Sequence, residues 1–128
     1  MTVQISRALI DRMIAHAASD PLREVCGLLL GAGHGVADMQ ACANAAADPA
    51  TSFEIDPAAL IAAHKAARAG GLAVIGCYHS HPNGVLALSP HDLASAYEGQ
   101  IWVLIVRGSV GMWVKENGMM VAGEGTPI

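Results

Sequence analysis

The residues able to do chemistry sit in one stretch of the chain, where His79, His81, Ser89 and Asp92 spell the pattern H-x-H-x7-S-x2-D. Side chains alternate between faces along a strand, so residues two apart leave on the same side, and His79 and His81 can meet one ion. Alone the pair is weak, because two histidines at that spacing arise by chance in roughly one such sequence in four. Ser89 and Asp92 make it specific: a loop over 82–88 returns the chain and sets a carboxylate in the first turn of the following helix. Two imidazole nitrogens and one carboxylate oxygen suit zinc, and three protein ligands leave the fourth tetrahedral position open to water. An open position points to catalysis rather than scaffolding. S-x-x-D around Pro90 is also a helix-capping signal that needs no metal. The two readings are compatible, since an aspartate fixed in a first helical turn is a rigid ligand.

Zinc lowers the pKa of a bound water to about 7, yet peptide cleavage also needs a group to take the proton and return it to the leaving amine. The chain holds no HExxH segment, so a carboxylate from elsewhere must serve. Glu24 directly precedes the apolar run over 25–30, but spacing alone does not choose it over Glu54 or Glu98. A cysteine hydrolase built on Cys26 or Cys77 is the competing chemistry; both thiols lie in apolar runs with no adjacent cation to lower their pKa. No CxxC pair exists to hold a metal or a redox centre. The glycines over 31–35 lack a following helix and a Lys-Ser/Thr pair, so they read as a turn rather than a phosphate cradle. His64 reads as a half-buried helix residue without a role.

These residues must be positioned by the elements around them. Ser6 is placed to cap a helix in which Ile10, Met13, Ile14 and Ala17 recur at helical spacing, ending near Ser19, Asp20 and Pro21. Apolar runs over 25–30 and 36–43, joined by the glycine turn, predict a hairpin, and a short strand is expected over 52–55. Asp56-Pro57 opens a second helix that reaches about residue 69, with Leu60, Ile61 and His64 on one face. A strand over 73–78 delivers the histidines, a short helix runs from about Ser89-Pro90 to Tyr97, and strands over 101–106, 110–115 and 119–121 close the chain. Hairpin-like pairs at both ends favour an α+β mixed sheet over a doubly wound parallel one.

At 128 residues, with 53% hydrophobic and 14% charged residues, the chain is sized and composed for one packed domain spanning 1–128. A net charge of −4 without any Lys/Arg cluster argues against nucleic acid as a partner. Charges at Arg7, Asp11 and Arg12 break up the N-terminal segment, so neither a signal peptide nor a membrane span is expected. Cys26, Cys42 and Cys77, an odd number in apolar segments, fit reduced thiols and a cytoplasmic setting.

Taken together the residues resemble the JAMM (MPN-plus) metalloproteases, whose signature is an upstream Glu followed by H-[ST]-H-P-x6-S-x2-D. Glu24, then His79-Ser80-His81-Pro82, then Ser89-Pro90-His91-Asp92 match it, and the segments 24–31 and 53–57 are similar to the family's first strand and to the lead-in to its second helix. The resemblance spans roughly 6–114. It implies a curved mixed β-sheet flanked by helices, related to the cytidine deaminases, with one zinc ion held by His79, His81 and Asp92. It further implies Glu24 as general acid/base and Ser89 as an aid to the tetrahedral intermediate. Members cleave a peptide or isopeptide bond after the C-terminal Gly-Gly of ubiquitin-like proteins. The short segment 83–88 matches the small prokaryotic members, some of which act on sulfur-carrier proteins and remove a C-terminal cysteine adduct. A Gly-Gly tail would bind as an added strand, with Val85, Leu86 and Leu88 as one wall. The alternative within the same fold is a metal-free MPN scaffold that only binds proteins.

Overall fold

The computed structural model describes residues 2–126. In β1 (Thr2–Ile5), Val3 and Ile5 turn inward while Thr2 and Gln4 face solvent, the alternation of a half-buried strand. Ser6 then caps α1 (Arg7–Ser19) by accepting the Leu9 N–H at 3.2 Å, and the helix buries Leu9 and Met13. β2 (Cys26–Ala32) and β3 (Gly35–Cys42) form the expected hairpin. After α2 (Pro57–Arg68) come β4 (Ala73–Ser80) and the short α3 (Pro90–Ser95). The antiparallel meander β5 (Ile101–Val106), β6 (Ser109–Glu116) and β7 (Met119–Thr126) completes the fold.

The strands follow the order β1-β3-β2-β4-β5-β6-β7 around a closed barrel. Pairing is parallel at β1–β3, β1–β7 and β4–β5 and antiparallel elsewhere, so the expected α+β mixed sheet is present. Its closure goes beyond the curved sheet expected from the sequence. The reason is β1, which has no counterpart among the expected strands: it pairs with β3 on one side and with β7 on the other, and so covers both sheet edges at once.

Three smaller expectations change as well. The strand expected over 52–55 reduces to one bridge between Asn44 and Ile55. α3 ends at Ser95 because Ala96 turns to extended backbone (φ −72, ψ 140) before Tyr97. α2 buries the small Ala63, which lets the helix lie close to β4, while Ile61 and His64 face solvent.

β4 sorts its side chains onto two faces. Tyr78 joins the main core, with Val3, Ile5, Met13, Leu29 and Val103 around it and α1 packed over it. Full burial of each such aliphatic side chain contributes about 1.5–3 kcal/mol. Gly27 faces Tyr78 across the β2–β4 ladder, where a Cβ would stand 2.2 Å from the ring. Without it the ring extends across β2, and its hydroxyl lies 2.8 Å from Nδ1 of His16 in α1. The opposite face carries a smaller cluster of Cys77, Ala96 and Trp102, against which Phe53, Leu88 and Trp113 pack. His79 emerges on that second face.

Candidate metal centre

Strand register brings the chemistry together. Cys26, the first residue of β2, pairs with His79 of β4. One step further, the Ser80 N–H donates to the Val25 carbonyl at 3.1 Å and the Val25 N–H donates to Ser80 Oγ at 2.9 Å. This double link holds the segment before β2 against the end of β4, which brings Glu24 to the histidines. The Glu24 backbone is pinned independently: its N–H donates to the Pro49 carbonyl at 2.7 Å, and its own carbonyl accepts from Asn44 Nδ2 at 2.9 Å.

Asp92 arrives from α3. Ser89 Oγ accepts the Asp92 N–H at 3.0 Å, and the Ser89 N–H donates to Asp92 Oδ2 at 2.9 Å, a reciprocal capping box. That same Oδ2 lies 3.1 Å from Nε2 of His79 and 3.1 Å from Nε2 of His81, and the two nitrogens are 3.1 Å apart. Cap and candidate ligand are therefore one side chain, as the sequence allowed. With Glu24, the four buried residues present donor atoms that all lie within 4.8 Å of one another.

The donor set fits a zinc ion. Tetrahedral ligands about 2.0–2.1 Å from zinc stand roughly 3.3 Å from each other, close to the size of this triangle. His81 donates its Nδ1–H to the Val85 carbonyl at 3.0 Å, which leaves the Nε2 lone pair directed at the shared point. Among the described residues no lysine or arginine pairs with Glu24 or Asp92, whose burial calls for a cation nearby. Glu24 Oε1 is buried with no hydrogen-bond partner among the described residues, an acceptor in need of a donor.

The electrostatics separate the two carboxylates. Burial pushes Glu24 up, with His81 and Asp92 acting in opposite senses, to about 7. Burial would raise Asp92 too, but the imidazoles of His79 and His81 and the Ser89 N–H hold it well below the usual carboxylate range. Burial lowers His79, whereas for His81 the hydrogen bonds to Asp92 and Val85 and the nearby Glu24 outweigh burial and raise it. Environment thus splits the pair into one carboxylate that stays ionised and one poised near neutrality.

The competing groups lie elsewhere. Glu98 accepts backbone N–H groups of Asn117 and Gly118 in the β6–β7 turn, and Glu54 is exposed. Burial pushes the Cys26 thiol up to about 12 and that of Cys77 well above its usual value, so neither is a nucleophile at neutral pH. His64 is exposed and outside the cluster. Of the three candidate wall residues, Val85 and Leu86 are exposed, while Leu88 packs onto the Cys77–Trp102 cluster. Sequence reasoning missed Phe53, which stacks on His79, and Asn44, which ties Glu24 in place. The Phe53–His79 contact joins residues far apart in the chain and carries no local signal.

Residues 6–120 match the family of prokaryotic homologs of the JAB domain, Prok-JAB. The chain belongs to this family. It is similar to the desampylase of Haloferax volcanii, with 32% identity over 122 residues covering 91% of this chain and 82% of the relative. It is also similar to a probable TtuB-protein conjugate cleaving protease of Thermus thermophilus, with 30% identity over 122 residues covering 95% of this chain and 82% of the relative. The fold resembles protein DSY2949 from Desulfitobacterium hafniense, with TM-score 0.79 and 21% identity across 100% of this chain and 94% of the other. A JAB1/MPN domain protein from Archaeoglobus fulgidus, AF2198, aligns with TM-score 0.62 and 20% identity over 98% of both chains. This prokaryotic JAB protein is accordingly a hydrolytic enzyme of the peptidase and isopeptidase class.

Proposed function

We propose that this chain, acting as a single JAMM/MPN-type domain, is a zinc-dependent hydrolase. It would cleave the peptide or isopeptide bond after the C-terminal Gly-Gly of a ubiquitin-like or sulfur-carrier protein, including removal of a C-terminal cysteine adduct. The observation that carries the reading is the triangle of His79, His81 and Asp92 donor atoms with the buried, unpaired Glu24 oxygen beside it. His79, His81 and Asp92 would hold one zinc ion per chain, which when bound supplies Lewis acidity and a water acidified to a pKa of about 7. Glu24 takes the proton of the attacking water and delivers it to the leaving nitrogen, a task for which its buried carboxyl beside the ligand histidines is placed. Ser89 Oγ is already engaged as acceptor by the Asp92 N–H, so its hydroxyl hydrogen remains to donate to the oxygen on the tetrahedral carbon.

The substrate class rests on the family and on the relatives, one named a desampylase and the other for cleaving TtuB-protein conjugates. A Gly-Gly tail would bind as an added strand: β1 pairs with β3 only at Gly35 and Val36, which leaves the 37–42 stretch of that edge without a second strand partner among the described residues. An open groove of about 560 Å³ is lined by Phe53, Leu60, Gly76, Cys77, Tyr97 and Trp102, and the Phe53 ring stands between it and His79. The three free thiols support a reducing, cytoplasmic setting, and among the described residues no helix is long and apolar enough to cross a membrane.

The test is incubation with Gly-Gly-linked fusions of ubiquitin-like and sulfur-carrier proteins, with and without a chelator, read by intact mass. Cleavage after Gly-Gly that the chelator abolishes supports the proposal. A protein that retains no zinc after dialysis and cleaves nothing would instead be a non-catalytic scaffold.

A further inference from the structure

The two candidate ligand histidines are oriented in different ways. A metal-ligating imidazole ordinarily donates its second ring N–H to a carbonyl or carboxylate, which fixes the ring's rotation. His81 follows this rule through the Val85 carbonyl at 3.0 Å. His79 does not: its Nδ1 is buried and has no hydrogen-bond partner among the described residues. Its ring is confined by aromatic neighbours instead. Phe53 stacks on one face with centroids 4.4 Å apart and planes 23° apart, and Trp102 stands at 87° with centroids 5.4 Å away. A flat ring against a flat ring blocks rotation about the imidazole's own bond, and does so without touching either nitrogen.

Phe53 is itself on irregular backbone, between the two neighbours that Asn44 holds. Asn44 Nδ2 donates to the Ser52 carbonyl at 3.0 Å, and Asn44 Oδ1 accepts the Glu54 N–H at 3.1 Å. The Ala45 N–H adds a bond to the Glu54 carbonyl at 2.8 Å. The same Nδ2 also donates to the Glu24 carbonyl at 2.9 Å. One amide thus anchors the segment carrying the stacking ring and the residue carrying the buried carboxylate.

We propose that Phe53 is a positioning residue that orients His79 for metal binding by stacking where a hydrogen bond is missing, and that Asn44 sets Phe53 and Glu24 in register with each other. The proposal rests on the zinc reading of the site and goes beyond it by naming what holds the ligand. It predicts that zinc affinity depends on an aromatic ring at 53, not merely on apolar volume.

The experiment titrates the metal-free protein with zinc against a chromophoric chelator and records the melting temperature of each metal-free form. Phe53→Leu should weaken zinc binding by about tenfold or more, the usual range for losing an orienting partner, while Phe53→Tyr binds as the parent does. Phe53→Met replaces the leucine variant should that one fail to fold. Asn44→Asp, which keeps the acceptor but loses both donors, should weaken zinc binding and lower kcat together. Parental affinity in Phe53→Leu, or an equal loss in Phe53→Tyr, overturns the proposal. If the parent binds no zinc, the metal reading fails first and this proposal with it; if the parent binds and the leucine variant matches it, only the positioning role fails.

Discussion

The two faces of β4 are built from adjacent residues and do opposite work. Tyr78 points into an apolar core under α1, where the surrounding groups are aliphatic and the fold gains its stability. His79 and His81 point to the other side, where Glu24 and Asp92 are buried with them and where desolvating charge works against stability. The strand therefore acts as a partition. What the contrast teaches is that the polar cluster can be left under-bonded because the face behind it is well packed. It also implies that substitutions should separate cleanly, with chemistry lost on one side and stability on the other.

The largest effects belong to the polar face. Glu24→Gln should lower turnover by about a hundred- to ten-thousand-fold, the range for removing a general acid/base, with zinc still bound and melting temperature equal or higher because a buried carboxylate is gone. His81→Ala should lose both zinc and activity. An active Glu24→Gln enzyme would mean the proton acceptor lies elsewhere, and zinc-to-protein ratio measured beside turnover makes the distinction. Ser89→Ala comes next, with turnover reduced by about a hundred- to a thousand-fold through the missing oxyanion donor. Its lost cap should cost only about 1 kcal/mol, so a large fall in turnover beside a small fall in melting temperature assigns the hydroxyl to catalysis. Near-normal turnover would leave Ser89 as a cap alone.

The same partition explains what could be read from the sequence. The ligand pattern was legible because its parts are local: strand alternation sets His79 beside His81, and a capping box sets Asp92 three residues after Ser89. Glu24 was not selected by spacing over Glu54 or Glu98, because its approach depends on the pairing of β2 with β4; only the family resemblance singled it out. Barrel closure was illegible for a related reason. β1 offers four residues, and its parallel partners lie at Gly35–Val36 and Glu124–Thr126, too distant for periodicity to register. Ile61 misled because a helix lying on a strand through a single alanine has little need of its larger apolar residues.

The apolar face should answer in the opposite currency. Met13→Ala removes a fully buried side chain of α1 and should cost about 2–5 kcal/mol, while kcat per folded molecule stays at the parental value. Loss of kcat at temperatures where the variant is fully folded would show that the partition leaks. Tyr78→Phe deletes only the hydroxyl near His16 and should cost about 0.5–1.5 kcal/mol, visible in a urea midpoint and invisible in kinetics.

The smallest effect is a pH dependence on this same contact. Burial lowers the pKa of His16 below its ordinary 6.5, and the neutral ring is the form whose Nδ1 accepts the Tyr78 hydroxyl. A lowered folded-state pKa means that the unfolded chain binds more protons as pH falls through 6.5, so the stabilisation is complete above that value and is lost as pH drops through the folded-state pKa. His16→Gln keeps an acceptor for Tyr78 but cannot titrate. Comparing urea midpoints of the two metal-free proteins between about pH 7.5 and 5 cancels every other titrating group, on the linkage relation. The parent should lose more stability than the variant across that interval. Equal slopes would mean that His16 titrates as freely in the fold as out of it, and that its contact with the Tyr78 hydroxyl is not linked to pH.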